Sequence, residues 1–131
     1  SLLRSHIESR PAPTDEVQHP ALLEVLSNLA GKKLNNPRIP IMIKGYFEDM
    51  NLVLKELYKV CRPGAKIALV VGNVRFEGEL IPVDLLLSEL ASDIGFKVDK
   101  IIITRYKGNS SQQMGKYGRV PVRESVLLWS K

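Results

Sequence analysis

The sequence predicts an α/β fold in which helices pack on both faces of a sheet. The main observation is the segment AKIALVVGN, residues 65–73, in which six of the first seven residues are apolar. Pro63 and Gly64 precede this run, and Gly72 and Asn73 end it. A short apolar run between turn residues is typical of a strand buried on both faces. A long amphipathic segment lies on each side of the run, and strands in such an order belong to parallel sheets covered by helices.

The chain has the length and composition of one soluble globular domain. Its 131 residues are 44% hydrophobic and 25% charged, which are ordinary values. No run approaches the roughly 20 apolar residues of a membrane span. Cys61 is the single cysteine, so we expect a core thiol, no internal disulfide and a cytoplasmic protein. The start at Ser1, without a methionine or a signal-peptide pattern, suits a fragment or a product with its tag removed.

Positive charge is concentrated near the carboxyl terminus. Residues 97–131 contain eight Lys and Arg and two Asp and Glu, which gives +6; because the whole chain carries +5, the first 96 residues sum to −1. Such an asymmetry indicates an anionic partner such as nucleic acid. The alternative is a basic surface that is simply solvated.

The chain divides into an amino-terminal part, residues 1–40, and an α/β part, residues 41–131. The first part is expected to be helices and loops, with one helix over residues 21–30 whose leucines form an apolar stripe. His6 and His19 have no Cys or acidic companions at metal-ligand spacing. We therefore expect surface or capping histidines and no metal site.

The α/β part is predicted to contain two helices and three strands. The helices span residues 41–61 and 83–94, and the strands span residues 65–72, 97–106 and 122–130, with loops over 74–81 and 107–121. No helix connects the last two strands, so they are expected to pair antiparallel. We expect the first strand to be central, with the other two as antiparallel neighbours. Both helices are expected to bury their apolar stripes on it.

Four stretches, in this order and spacing, resemble the C-terminal half of class I S-adenosylmethionine-dependent methyltransferases. They are LYKVCRPGAKIALVVGN, FEGELIPVDLLLSELASDIGFKV, IIITRYKGNSSQQMGKYGRVP and VRESVLLWSK. The sequence is most similar to DNA modification methylases that methylate exocyclic amino groups, and to related tRNA guanine methyltransferases. The resemblance covers residues 41–131, with weaker similarity for SLLRSHIESR. It implies a Rossmann-like half-fold, with one parallel strand, an antiparallel terminal hairpin and helices on both faces.

The resemblance also implies an activity that this chain does not carry by itself. The family's glycine-rich cofactor loop is absent, and so is its catalytic Pro-Pro motif, because no Pro-Pro occurs in the chain. No catalytic residue is therefore assigned, and the missing N-terminal half is an expected partner. We expect the complete enzyme to use S-adenosylmethionine on DNA, with tRNA or rRNA as the alternative. The isolated chain is expected to be inactive and to bind the cofactor weakly or not at all.

A non-catalytic α/β module is the alternative to an enzyme half. Such a module would bind nucleic acid or a protein through its basic end. The half-fold interpretation has a structural consequence of its own, because it leaves an open strand edge and an exposed apolar surface. We therefore expect self-association, for example as a symmetric homodimer, unless residues 1–40 cover that surface.

Two residues at the end of the first strand are candidates for a cofactor or target pocket. In open α/β sheets ligands bind beyond the carboxyl ends of the strands, and Gly72 and Asn73 lie at that end. Asn73 would contact the target base or shape the pocket beside the cofactor. The alternative is that Gly-Asn is ordinary turn chemistry.

Basic and polar residues near the carboxyl terminus are candidates for nucleic-acid contacts. Guanidinium groups match phosphate oxygens, and amides hydrogen-bond to bases or backbone. The candidates are Arg105, Lys107, Asn109, Arg119 and Arg123. The alternatives are solvated basic residues and, for Asn109 with residues 110–113, a flexible polar loop.

Neighbouring aromatic and acidic residues have similarly open roles. Glu124 follows Arg123 and could orient it as an ion pair. Consecutive strand residues point to opposite faces, however, so this interaction would need another partner. Tyr106 and Tyr117 would either stack on an extruded base or pack structurally. Trp129, on the final strand, is expected in the core.

Overall fold

The computed structural model describes residues 19–34, 36–108 and 120–131. These residues form three helices: α1 Pro20–Ala30, α2 Ile39–Val60 and α3 Val83–Ile94. They also form five strands: β1 Lys66–Gly72, β2 Val74–Phe76, β3 Glu79–Ile81, β4 Lys97–Lys107 and β5 Val122–Ser130. The predicted helices and main strands are therefore present, with bounds shifted by one or two residues.

The main sheet has the order β1-β5-β4, and β5 runs antiparallel to both neighbours. The antiparallel pairing of β4 with β5 is as predicted, and it follows from a connection without a crossover helix. The prediction that β1 is the central strand is wrong. β5 returns between β1 and β4 and pairs with the whole of β1, from Lys66 opposite Ser130 to Gly72 opposite Glu124. β1 therefore lies at one edge of the sheet in the described part of the chain.

The two faces of the main sheet differ, which contradicts the prediction that β1 is buried on both. One face packs on α3 and carries the fully buried Leu127 and Trp129 of β5. The opposite face carries Val70, which is 63% exposed, and Ile102, which is 44% exposed. We call this second surface the open face; its apolar members are Ala68, Val70, Ile102, Val126 and Leu128. Within the described residues, helices thus cover one face only.

Helix α2 packs mainly on α1 and α3, so the prediction that it buries its stripe on β1 is wrong. Its largest buried side chains are Phe47 and Leu54, each 1% exposed, and both belong to the core that the three helices share with Leu127 and Trp129 of β5. A cleft separates the amino-terminal half of α2 from the free edge of β1. The apolar stripe therefore identified a buried helix but not its neighbour.

Residues 74–81, predicted to be a loop, form the hairpin of β2 and β3. Its two-residue turn places Glu77 at φ 49° and Gly78 at φ 80°, and two positive φ angles are typical of the turn that suits the twist of a hairpin. The sequence did not predict this turn, because its first position holds Glu, where Asn or Asp is usual. The hairpin leads directly into α3.

The helix ends agree better with prediction. His19 caps α1: its Nδ1 accepts a hydrogen bond from the Ala21 backbone N–H at 3.3 Å, while its Nε2 lies 2.9 Å from Glu89 Oε2. Gly95 follows α3 at φ +131°, a conformation that L side chains rarely adopt. The capping role of His19 and the stop at Gly95 are therefore confirmed.

Candidate functional site

One end of the main sheet gathers several residues nominated from the sequence. The carboxyl ends of β1 and β4 lie there beside the amino end of β5, because β5 is antiparallel to both. We call this end the basic end; its nominated residues are Gly72, Arg105, Lys107 and Arg123. These nominated residues therefore share the end of the sheet at which ligands bind in open α/β folds.

The carboxylate of Asp84 joins α3 to β5 at the basic end. Asp84 is the second residue of α3 and is 0% exposed. Its Oδ2 accepts hydrogen bonds from Arg123 Nε at 2.7 Å and from Ser125 Oγ at 2.9 Å. Its Oδ1 accepts a hydrogen bond from the Leu85 backbone N–H at 2.8 Å. Three donors thus offset the cost of keeping a carboxylate away from water.

Asn73 closes a ring of hydrogen bonds around this carboxylate. Asn73 Oδ1 accepts from the Asp84 backbone N–H at 3.1 Å, and the Asn73 backbone N–H donates to the Arg123 carbonyl at 3.0 Å. The Arg123 side chain returns to Asp84. The end of β1, the start of α3 and the start of β5 are therefore fixed to one another. Asn73 is 3% exposed, and in these contacts it joins distant segments of the chain.

The hydrogen bonds decide the charge state of Asp84. Burial raises the pKa of its carboxyl group, but the hydrogen bonds from Arg123, Ser125 and Leu85, with the nearby guanidinium charge, lower the pKa by more. The net pKa lies below the ordinary value. The same hydrogen bond raises the pKa of Arg123. The buried pair is therefore ionised on both sides at neutral pH.

A second ion pair lies on the open face of the basic end. Arg105 Nε donates a hydrogen bond to Glu124 Oε2, and this hydrogen bond lowers the pKa of Glu124. The Arg105 side chain is 70% exposed. Arg123 and Glu124 thus have separate partners on opposite faces of β5, as the strand period requires.

Lys107 reaches across the sheet towards Gly72. A Cβ atom built on Gly72 would lie 2.5 Å from Lys107 Nζ, so the ammonium group lies close above the Gly72 backbone. The carboxyl end of β1 is thereby brought next to a cation.

Tyr106 lies opposite Arg123 in the β4–β5 ladder and is 66% exposed. The Arg123 side chain is 29% exposed, so it contacts the buried network while part of it faces outward. An aromatic ring and a guanidinium group are therefore both accessible at the same end of the sheet. Such a combination suits stacking and phosphate contact.

Some of the predicted site residues lie outside the part of the chain that the structure describes. The sequence also failed to indicate some residues that belong to the site. Asn109 and Arg119 lie outside the described residues, as do Tyr117 and residues 110–113. The sequence reasoning missed Asp84, which accepts a hydrogen bond from Arg123, and Ser125, which donates one to Asp84. An acidic residue in the first turn of a helix is ordinary, so the only hint was a polar serine within the apolar final strand.

A cleft of about 480 Å³ runs beside the free edge of β1. Side chains from α2, β1 and the β2–β3 hairpin line it, among them Met42, Tyr46, Phe47, Val70 and Phe76. Burial raises the pKa of the Tyr46 hydroxyl. The lining is mainly apolar, and it is continuous with Gly72 at the basic end. The cleft therefore offers an apolar surface next to a strand edge that has no partner strand within the described ranges.

The described residues include neither a cluster of metal ligands nor a membrane-spanning helix. None of their His, Cys, Asp and Glu side chains form a group of three that would hold a metal ion. None of the helices they form is long and apolar enough to cross a bilayer.

Comparison with known proteins gives close sequence relatives. The chain is 52% identical over 100 residues to the type II methyltransferase M.BsoBI of Geobacillus stearothermophilus, covering 76% of this chain and 20% of the relative. It is 50% identical over 104 residues to the type II methyltransferase M.AvaI, as found in Nostoc sp. PCC 7120 and in Anabaena variabilis, covering 79% of this chain and 22% of each relative. The chain therefore spans about one fifth of the length of these relatives. No protein-family model matches the chain.

A solved structure supports the fold. A provisionally assigned DNA modification methylase from Thermus thermophilus superposes with a TM-score of 0.51 over 82% of this chain and 50% of that chain, at 19% identity. At that identity the likeness concerns the fold alone. The relationship is established by the sequence matches, which confirm the resemblance to modification methylases. Over about three quarters of its length, this chain is a relative of the type II methyltransferases.

Proposed function

We propose that this chain is part of an S-adenosylmethionine-dependent methyltransferase that methylates an exocyclic amino group of a base in DNA. The observation that carries the proposal is the 52% identity to a type II methyltransferase over 100 residues. The basic end supports it, because guanidinium and ammonium groups there suit a polyanionic substrate. The resemblance to amino-methylating enzymes supplies the cofactor and the type of target.

A segment exchange tests this proposal. The matching segment of M.BsoBI is replaced by this chain, and transfer of labelled methyl groups from S-adenosylmethionine to DNA is measured. We expect the chimera to methylate DNA. The matched control is the same chimera with Gly95→Val, which disrupts a turn at φ +131° and should abolish folding. A folded chimera that binds the cofactor but transfers no methyl group to DNA would contradict the proposal.

We propose further that residues 41–131 supply the C-terminal half of a Rossmann-like domain, with residues 1–40 as a preceding helical and loop segment. The catalytic motif and most of the cofactor site then belong to the missing N-terminal half. The chain alone should show no methyl transfer and only weak binding of S-adenosylmethionine, because the glycine-rich loop and the Pro-Pro motif are absent. Micromolar binding in calorimetry would count against this division. A cytoplasmic location is part of the same proposal.

The free edge of β1 and the adjoining cleft are the surface that we propose for the missing half. An unpaired strand edge presents backbone donors and acceptors for another strand, and the mainly apolar cleft lies directly beside it. Val70, 63% exposed, borders both. Val70→Lys should therefore weaken capture of the amino-terminal remainder of M.BsoBI by this chain. Val60→Lys is the control, because Val60 is 78% exposed at the far end of α2.

The proposed nucleic-acid contacts are Arg105, Lys107, Asn109, Arg119 and Arg123, and the proposed pocket residues are Gly72 and Asn73. Fluorescence anisotropy with labelled DNA and RNA duplexes of one sequence tests the substrate class. Tighter binding to DNA supports a DNA methyltransferase. Tighter binding to RNA favours the tRNA or rRNA alternative, and binding without methylation by the chimera favours a non-catalytic module.

A further inference from the structure

We propose that Asp84 is a positioning residue that holds the Arg123 guanidinium for contact with a backbone phosphate of nucleic acid. The proposal rests on the proposed function, because it takes nucleic acid as the substrate. It adds a residue that no charge pattern nominated. Asp84 itself is 0% exposed, so its effect must pass through Arg123.

The Arg123 guanidinium can bind Asp84 and a phosphate at the same time, because the two contacts use different N–H groups. The hydrogen bond to Asp84 uses Arg123 Nε, which is one of the five N–H donors of an arginine. This hydrogen bond does not use the two Nη groups, and 29% of the Arg123 side chain is exposed. A pair of parallel N–H groups is the arrangement that binds phosphate oxygens in a bidentate manner.

The anchoring gives Arg123 an advantage over other cations of the basic end. A free arginine loses side-chain entropy when it binds a phosphate, and prior fixation lowers that cost. Arg123 is fixed by a buried carboxylate that Ser125 and the Leu85 backbone also hold. Arg105, by contrast, is 70% exposed and pairs on the surface, where such pairs contribute little order.

The charge of Asp84 provides the discriminating test. If overall charge alone governed DNA binding, Asp84→Asn would remove a negative charge and tighten it. If Asp84 positions Arg123, the same change weakens it. We expect Asp84→Asn to weaken binding of a fluorescein-labelled DNA duplex roughly tenfold, measured by anisotropy with the 131-residue chain. The slope of log affinity against log salt should fall by about one, as it should for Arg123→Gln.

The matched control is Asp99→Asn. Asp99 lies at the opposite end of the sheet, where its Oδ2 is 3.8 Å from Lys66 Nζ and its Oδ1 is 4.0 Å from Lys97 Nζ. This variant makes the same change in charge, and we expect unchanged or tighter DNA binding. Circular dichroism and a thermal melt establish that each variant is folded. If Asp84→Asn does not fold, Ser125→Ala removes one support of the carboxylate and should weaken DNA binding by a smaller factor.

A double variant separates positioning from a general structural role. In the Arg123→Gln background, Asp84→Asn should have no further effect on DNA affinity, whereas a structural role would weaken binding again. Additive losses, or tighter binding by folded Asp84→Asn, would overturn the inference while leaving the proposed function intact. A wild-type chain that binds neither DNA nor RNA would overturn the inference together with the nucleic-acid contacts that we propose.

Discussion

The ammonium group of Lys131 lies 4.4 Å from the centroid of the Tyr58 ring, at the carboxyl-terminal end of α2. Its Nζ donates hydrogen bonds to the carbonyls of Tyr58 and Cys61, the second at 2.8 Å. A cation in this position satisfies carbonyls that have no helical partner and opposes the negative end of the helix dipole. The Lys131 backbone N–H also donates to the Ala65 carbonyl at 3.0 Å. One residue thus joins the ends of α2 and β5 to the start of β1.

Replacing this cation should destabilise the fold. We expect Lys131→Met, which keeps the apolar stem, to lower the free energy of unfolding by roughly 1–2 kcal/mol. Urea denaturation followed by the fluorescence of Trp129, the single tryptophan, measures the change. The control is Lys59→Met, because Lys59 and Glu56 form a pair in which both side chains are 69% exposed. The control should cost about 0.5 kcal/mol or less, and equal losses would refute a special role for Lys131.

Replacement of Gly95 should be costly. Its φ is +131°, and a Cβ there would lie 3.0 Å from atoms of the Tyr58 ring. Gly95→Ala is expected to lower the free energy of unfolding by roughly 2–3 kcal/mol, because backbone strain and ring displacement add. Gly108→Ala is the control, since a Cβ at Gly108 meets nothing within 4 Å among the described residues. Its effect should stay within about 0.5 kcal/mol.

The Asp84 carboxylate should make stability depend on pH. Its pKa is lower in the folded chain than its ordinary value, so its contribution is present above the unfolded pKa and is lost as pH falls through the folded pKa. At pH 7, Asp84→Asn should cost roughly 2 kcal/mol. Below about pH 4, where the unfolded carboxyl is protonated, the difference from wild type should shrink. Urea midpoints across this range measure it, and a difference that does not change with pH would contradict the ion-pair account.

Local signals predicted the elements that depend on local chemistry. Residues 21–30 form a helix because their leucines repeat on one face, and α3 stops at Gly95 because only glycine tolerates that backbone angle. The antiparallel pairing of β4 with β5 followed from a connection without a helix. Strand order was not predictable in the same way. The apolar run of β1 indicates that a strand is present, but it does not indicate which strand lies beside it. That neighbour is β5, which is far away in sequence.

The candidate site shows the same division. Arg105 and Arg123 were nominated by charge, and the structure places both at the basic end. The charge pattern did not indicate Asp84. An acidic residue in the first turn of a helix normally faces solvent and interacts favourably with the helix dipole. Only its burial, and the arrival of Arg123 and Ser125 from a distant strand, reveal a different role.

The open face of the main sheet should drive association of this chain. Val70 is 63% exposed and lies opposite Val126, which in turn lies opposite Ile102, itself 44% exposed. A contiguous apolar patch beside an unpaired strand edge favours contact with another chain. We expect residues 41–131 to self-associate at micromolar concentration in light scattering, with residues 1–131 associating less if the amino-terminal part covers the patch.

Two variants locate the surface responsible. Val70→Lys places a charge in the patch and should return residues 41–131 to monomers, because an edge with an inserted lysine resists pairing. Val60→Lys makes the same change at a residue that is 78% exposed on α2, and it should leave association unchanged. Equal effects of the two variants would show that added charge, rather than the open face, controls association. Monomeric behaviour of both unmodified chains would mean that the open edge of β1 does not recruit a second copy.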